Sequence, residues 1–286
     1  MSDSPKIELR RARLEDREKA IWVESKSTPN LSYVPDVFEM FVSDDVGEFS
    51  VAEVDGEVVG CGKFTVVPDG SAWLETLRVI PERQGIGVGK RFYERWLEAA
   101  RRLGVPTMRM YTGVGNVVSK GLAERYGLRL AETFRGASFP CENGAKGASK
   151  GSFRQVTDPE RATELLMPLS EDWRGFHVVN RTFYKLSPAL CGHLVEKGMV
   201  YEDPDSGSVI TLGARFQPDR MLHIGVFGGD AEACLGFALE MGLDRGVARL
   251  NCDFPTSATQ VEEALKGYGF SFTPSEFICM EIHLDS

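Results

Sequence analysis

No stretch of this 286-residue chain approaches the roughly 18 consecutive apolar residues that a membrane-crossing helix needs. The opening MSDSPKIELRRARLED has no apolar run after its charges, so no secretory leader is read there and a cytoplasmic protein is expected. Positive charge is in deficit. Lys and Arg total 33 against 42 Asp and Glu, a formal net charge of −9, which argues against a general nucleic-acid binder and against docking on anionic lipid. Paired cysteines are missing too. Cys61, Cys141, Cys191, Cys234, Cys252 and Cys279 lie far apart, none in a Cys-x-x-Cys pair. They read as reduced thiols rather than a disulfide frame or a structural zinc site. The histidines are few, His177, His193, His223 and His283, and none pairs at ligand spacing, so no metal is expected.

What is present is an ordinary globular composition, long enough for two domains with cores of their own. The informative stretch is Leu74–Leu103, which reads as strand, glycine turn and helix. Leu74–Ile80 is β-rich and stops at Pro81. From Val88 to Leu103, Val88, Phe92, Trp96, Ala99, Ala100 and Leu103 recur at helical spacing. Between them lies Gln84-Gly85-Ile86-Gly87-Val88-Gly89. Three alternate glycines let the backbone come close to another group where a helix's unpaired N–H groups favour an anion. The alternative is a plain strand-to-helix turn.

Spacing sorts the candidate anions. A nucleotide P-loop needs Gly-Lys-Ser/Thr, but Gly89-Lys90 precedes Arg91. A dinucleotide fingerprint needs a third glycine where Lys90 stands. The order Gln/Arg-x-x-Gly-x-Gly/Ala does fit, and it resembles the acetyl-CoA pyrophosphate loop of the GNAT superfamily of N-acetyltransferases. The preceding Leu77-Arg78-Val79-Ile80-Pro81 is similar to that family's fourth strand. Asn116-Val-Val-Ser119 with Tyr126-Gly127-Leu128 is similar to its Asn-x-x-Ala … Gly-Phe segment. The resemblance spans about Ile7 to Phe134.

The second half repeats the plan of the first without the loop. RQVTDPERATELL parallels IELRRARLEDREKAI, and GMVYEDPDSGSVITLGARF parallels GEFSVAEVDGEVVGCGKF. Where the phosphate loop would fall stands Gly228-Gly229-Asp230-Ala231-Glu232, whose carboxylates repel a pyrophosphate. The expected fold class is α/β with an α+β mixed sheet, as two tandem GNAT-like units, the second lacking the acetyl-CoA loop. Residues 1–136 form the acetyl-CoA-binding unit. The Gly/Ser/Lys-rich 137–150 is a linker, and 151–286 form the degenerate unit, which completes the acceptor pocket or simply covers the first sheet.

The resemblance implies an acyltransferase that uses acetyl-CoA as co-substrate and a small-molecule primary amine as acceptor. For cofactor binding it implies main-chain contacts from the Leu77-Arg78-Val79 strand and the Gln84, Gly85, Ile86, Gly87, Val88, Gly89 and Lys90 turn. It also implies a side-chain contact from Asn116. Charge from Lys90 or Arg91 is a further option. The segment Thr28–Tyr33 stands where acceptor specificity resides in the family. Strand alternation places Trp73, Glu75, Leu77 and Val79 on one face, and Glu75 is the candidate general base. Binding the substrate ammonium or pairing with an arginine are its alternative roles. The family's leaving-thiolate tyrosine has no counterpart, since Ala123 stands seven residues after Asn116. Tyr111 and Tyr126 are weak substitutes, and no general acid is assigned. Direct attack needs no covalent intermediate, and no cysteine has a nucleophile's setting. The competing reading is a CoA- or acyl-CoA-sensing module without turnover.

Overall fold

In a computed structural model of the chain, residues 6–29, 31–142 and 151–284 are described. They form two compact units that do not follow the chain in two blocks. The first gathers residues up to Tyr111, Asn116–Arg129 and those from Met280 on. The second holds Thr112–Gly115 and Leu130–Cys279.

The first unit opens with β1 (Ile7–Arg11), a short 3-10 turn and α1 (Arg17–Ser27). Then come α2 (Val34–Val42), the hairpin β2 (Glu48–Val54) and β3 (Glu57–Val66), and β4 (Ala72–Val79). After the glycine turn follow α3 (Val88–Leu103), β5 (Thr107–Gly113) and α4 (Val117–Arg125). The β2–β3 turn is Asp55-Gly56, both at positive φ (54° and 84°), as the Asp-Gly pair predicts. The strands run β1-β2-β3-β4-β5, antiparallel except for β4 beside β5.

The chain's last strand completes this unit. Leu284 N–H donates to Pro106 O at 2.8 Å. Arg109, on β5 and 4% exposed, donates from Nε to Glu281 (2.9 Å) and from Nη1 to Asp69 and Ser71 (2.8 and 2.7 Å). A buried guanidinium held by two carboxylates avoids the cost of an unpaired charge, and removing either partner would be costly.

Glycines settle the two faces. A side chain at Gly62 would strike Phe92 and Trp96, and one at Gly60 would meet Val88, so α3 covers that face of β3. The alternate residues, Cys61 and Lys63, face α1 and α2. Phe49, opposite Lys63, packs edge-on against Phe38 and Phe41 of α2.

The second unit starts with β6 (Arg129–Pro140, from Leu130), then β7 (Arg154–Gln155) and α5 (Pro159–Leu166). A separate hairpin of β8 (Phe176–Val179) and β9 (Thr182–Lys185) follows, then α6 (Pro188–Glu196). The remainder is β10 (Val200–Asp203), β11 (Ser208–Gly213), β12 (Leu222–Gly228), α7 (Ala231–Asp244), β13 (Arg249–Pro255), α8 (Thr259–Tyr268) and β14 (Ser271–Phe272). The final β15 (Phe277–His283) begins in this unit and ends in the first. Strand order is β6-β13-β12-β11-β10-β7, with only β12 and β13 parallel.

One boundary differs from the sequence reading. Ala137–Pro140, read as the start of a linker, continue β6 and pair with Arg249–Cys252 of β13. Phe139 is buried there against Tyr268 and Phe270, so this stretch has a core of its own to join. The rest of that segment, from 143 to 150, lies outside the described residues. Among the described residues no helix is long and apolar enough to cross a membrane.

Candidate active site

The site is built where β4 and β5 part. They pair over only three positions, Ala72 with Met108, Trp73 with Arg109 and Leu74 with Met110. Beyond Leu74 and Met110 both strands continue without pairing to each other. The edge of β4 from Glu75 to Val79 is thereby freed for an added extended chain, in the manner of strand addition.

The same stretch contains a bulge. Lys63 faces Glu75 and Cys61 faces Arg78, so two steps on β3 answer three on β4. Thr76, at φ 60°, absorbs the extra residue in a conformation unusual for a β-branched side chain. This corrects the simple alternation. Trp73, Glu75 and Arg78 share the α1–α2 face, while Leu77 and Val79 do not follow Glu75. A bulge costs one residue of register and leaves no mark in apolar spacing.

Glu75 is 9% exposed and accepts from Thr65 Oγ1 at 2.6 Å. Beside it the Tyr33 hydroxyl is hydrogen-bonded to Thr76 Oγ1. Burial pushes the Tyr33 phenol well above its ordinary range, and the charge of Glu75 adds to the rise, so Tyr33 stays protonated. Tyr33 directly precedes α2, and its position is fixed from α1. Glu24, 1% exposed, accepts the N–H groups of Tyr33 (3.1 Å) and Val34 (3.0 Å) with Oε2. Burial raises the Glu24 carboxyl, partly opposed by those two N–H groups and by Arg78. Tyr111 stacks flat on Trp73, with centroids 6.0 Å apart at 2°. Thus Thr65, Tyr33, Thr76 and Trp73 surround the candidate base. Of these, the sequence marks Tyr33 for a substrate role; Thr65 and Glu24 carry no motif that marks them.

The glycine turn has the open character its spacing suggests. Gly85 and Gly87 take φ of 81° and 110°, which L side chains rarely adopt. A side chain at Gly85 would meet nothing within 4 Å, and one at Gly87 would meet only Ile7, at 3.7 Å. Gly87 is the N-cap of α3, so no side chain caps the helix and its first N–H groups are left for an outside acceptor. Gly89 has a different use. A side chain there would press on Leu122 of α4 at 2.9 Å, so this glycine serves helix packing. Gln84 donates from Nε2 to Val79 O at 3.0 Å, which occupies a carbonyl assigned to cofactor binding.

The remaining candidates are partly committed within the protein. Asn116 Oδ1 caps α4 by accepting Ser119 N–H at 3.1 Å, leaving its NH2 to reach outward. Tyr126 stacks on Tyr93 and its hydroxyl lies 3.1 Å from Lys90 O, so it braces α3 rather than joining Glu75. Ala123 is fully buried. Every pair described here lies within the first unit.

In the second unit β12 and β13 also part after three pairs, the last being Ile224 with Cys252. The residue beyond is Gly225, and the His177 ring fills the space its side chain would need. Further along, Trp173 Nε1 donates to Phe227 O at 3.0 Å and Leu169 lies against Gly228. Asp230 caps α7 with its own carboxylate, Oδ1 accepting Ala233 N–H at 3.1 Å.

Residues 12–128 match the family model of the acetyltransferase (GNAT) family. No curated protein matches the chain as a relative. Among solved structures, a GCN5-related N-acetyltransferase from Sphaerobacter thermophilus is similar over 97% of this chain and 95% of its own, at 14% identity and TM-score 0.67. A GCN5-related N-acetyltransferase from Kribbella flavida is similar over 100% of this chain and 73% of its own, at 16% identity and TM-score 0.56. A tandem GNAT protein from the clavulanic acid biosynthesis pathway is similar over 98% and 99%, at 13% identity and TM-score 0.60. At these identities the likeness concerns the fold.

Proposed function

We propose that this chain is a tandem member of the GNAT superfamily and that it transfers the acetyl group of acetyl-CoA to a primary amine of a small molecule or amino acid by direct attack. One observation carries the reading. A helix of 16 residues begins at an uncapped glycine, two residues after a glycine in open space, next to a strand edge that its neighbour has left. The turn from Gln84 to Lys90 supports a pyrophosphate on main-chain N–H groups with the helix dipole behind them. The residues present fit the co-substrate. The main chain of Leu77, Arg78 and Val79 offers strand-like hydrogen bonds to an extended arm once Gln84 turns off Val79 O. The exposed Asn116, whose NH2 makes no hydrogen bond among the described residues, is the side-chain donor for the same arm.

Glu75 is the group we assign to the acceptor's proton. It lies just past the last β4–β5 pair, enclosed, and its carboxylate is oriented by Thr65. Tyr33, kept neutral by burial, supports Thr76 at the bulge and lines the acceptor side. The second unit has no part in holding CoA in this proposal. The division of labour between a cofactor-binding first unit and a degenerate second unit belongs to the same reading. So does a cytoplasmic setting, supported by six cysteines of which none forms a Cys-x-x-Cys pair and five are buried.

Incubation with acetyl-CoA and a panel of amines, with thiol release as the readout, tests the proposal. Release that depends on both the amine and Glu75 supports it. Ala123 in place of a phenol favours the competing sensor reading, which predicts CoA binding with no thiol release for any amine.

A further inference from the structure

The bulge has a consequence for the acceptor. In a regular strand Arg78, three residues from Glu75, would point to the opposite face, towards α3. The extra residue at Thr76 brings it back, so Glu75 and Arg78 occupy successive positions on one face, opposite Lys63 and Cys61. That places their backbone positions roughly 7 Å apart, two strand steps.

Arg78 is also short of partners. Its Nε is enclosed and has no hydrogen-bond partner. Nη1 reaches only the carbonyl of neighbouring Leu77, at 3.3 Å. No carboxylate of the described residues lies within ion-pair distance of it. Three other arginines of the unit, Arg109 buried and Arg10 and Arg95 half-buried, are paired with carboxylates. Arg10 pairs with Asp16 and Glu53, Arg95 with Glu48, and Arg109 with Asp69 and Glu281. The carboxylate that feels Arg78 electrostatically, Glu24, spends Oε2 on α2, and its Oε1 is enclosed without a partner. A guanidinium N–H shut away unpaired is costly, and an anion supplied from outside relieves the cost.

We propose that the Arg78 side chain receives a carboxylate of the acceptor, so that the amine acetylated here belongs to an amino acid. This rests on the acyltransferase reading above. The anion is not a phosphate of the co-substrate, because the turn and α3 lie on the other face of the sheet, the face of Gly60 and Gly62. An amino acid presents an amine and a carboxylate a few bonds apart, which spans Glu75 and Arg78 with a hydrogen bond at each end. The guanidinium fork suits a carboxylate, and such charge-assisted pairs are the strong ones.

The test uses the full chain, acetyl-CoA and matched acceptors: alanine, phenylalanine, leucine and lysine, each beside its decarboxylated amine and its carboxamide. The expected kcat/KM favours the carboxylate-bearing member by on the order of 100-fold. Arg78→Met should bring that ratio near one, mainly through KM. Arg78→Lys should restore part of it, as a point charge without the fork. CoA should still protect Arg78→Met against heating, since the main chain at that position remains. Equal use of matched acceptors by the unaltered protein, or equal losses on both in Arg78→Met, overturns the proposal. Should CoA bind but no acceptor release thiol, protection by the amino acids in the presence of CoA decides: it must depend on Arg78, and independence overturns the proposal. Failure of CoA itself to bind is a different result, which removes the acyltransferase reading and this inference with it.

Discussion

The two units solve the same local problem in opposite ways. Each has a parallel strand pair that parts after three positions, followed by a glycine turn into a helix. In the first unit the turn is open, the helix starts at bare Gly87 and Glu75 stands just past the parting. In the second, Asp230 answers the helix N–H groups itself, and a side chain at Gly229 would press on Ser208 at 2.7 Å. Gly225 replaces the glutamate, with His177 over it, and Trp173 takes the carbonyl of Phe227. The frame is shared; what differs is whether the polar groups that the frame exposes are satisfied from within. A protein that pairs its own orphan groups has a stable scaffold there, and one that leaves them open has room for a ligand.

The sharpest way to break the comparison is at Glu75. Glu75→Gln should lower kcat by about 10³-fold, within the range of general-base removal, while CoA affinity holds. Parallel steady-state kinetics and CoA titration decide it, and an unchanged kcat removes Glu75 as base. Next in size is the transplant of the second unit's solution into the first. Gly87→Asp sets a carboxylate at the cap and a side chain at φ 110°, so CoA affinity should fall on the order of 100-fold.

A third prediction concerns pH and the second unit alone. Burial lowers the His177 imidazole to about 3 and that of His223 to about 4. Below 6.5 the unfolded chain therefore binds protons that the folded unit refuses. Their contribution is complete above pH 6.5 and is lost as pH falls towards 4, at up to about 2.7 kcal/mol per pH unit for two such groups. Calorimetric unfolding between pH 7 and 5 should show the loss, and His177→Gln should flatten it. A profile that His177→Gln leaves unchanged contradicts this assignment. The smallest effect is at the α7 cap. Asp230→Ala should cost about 1 kcal/mol, read as a lower melting temperature, and should create no CoA site because Trp173 and Ser208 still fill the region.

Much of this is legible in the residues. The Asp55-Gly56 hairpin, the span of α3 and the turn before it follow from local spacing, because each is decided by neighbours within a few positions. Glu75 is proposed from its position on the strand, and the positive φ of Gly85 and Gly87 is a conformation glycine takes readily. The rest depends on partners far away in sequence. Nothing around Ala137 announces that β13, more than a hundred residues later, extends β6 past its expected end. Nothing around Glu281 announces Arg109. The β4 bulge hides the face on which Arg78 lies, because alternation assumes an unbroken register. The third glycine reads as part of the anion site for want of another use, and Leu122 supplies that use.

The stoichiometry of CoA binding tests the account most directly. Titration calorimetry on the full chain should give one CoA per chain, abolished or strongly weakened by Gly87→Asp and untouched by Asp230→Ala. Two CoA molecules per chain, none, or binding that survives Gly87→Asp would contradict it.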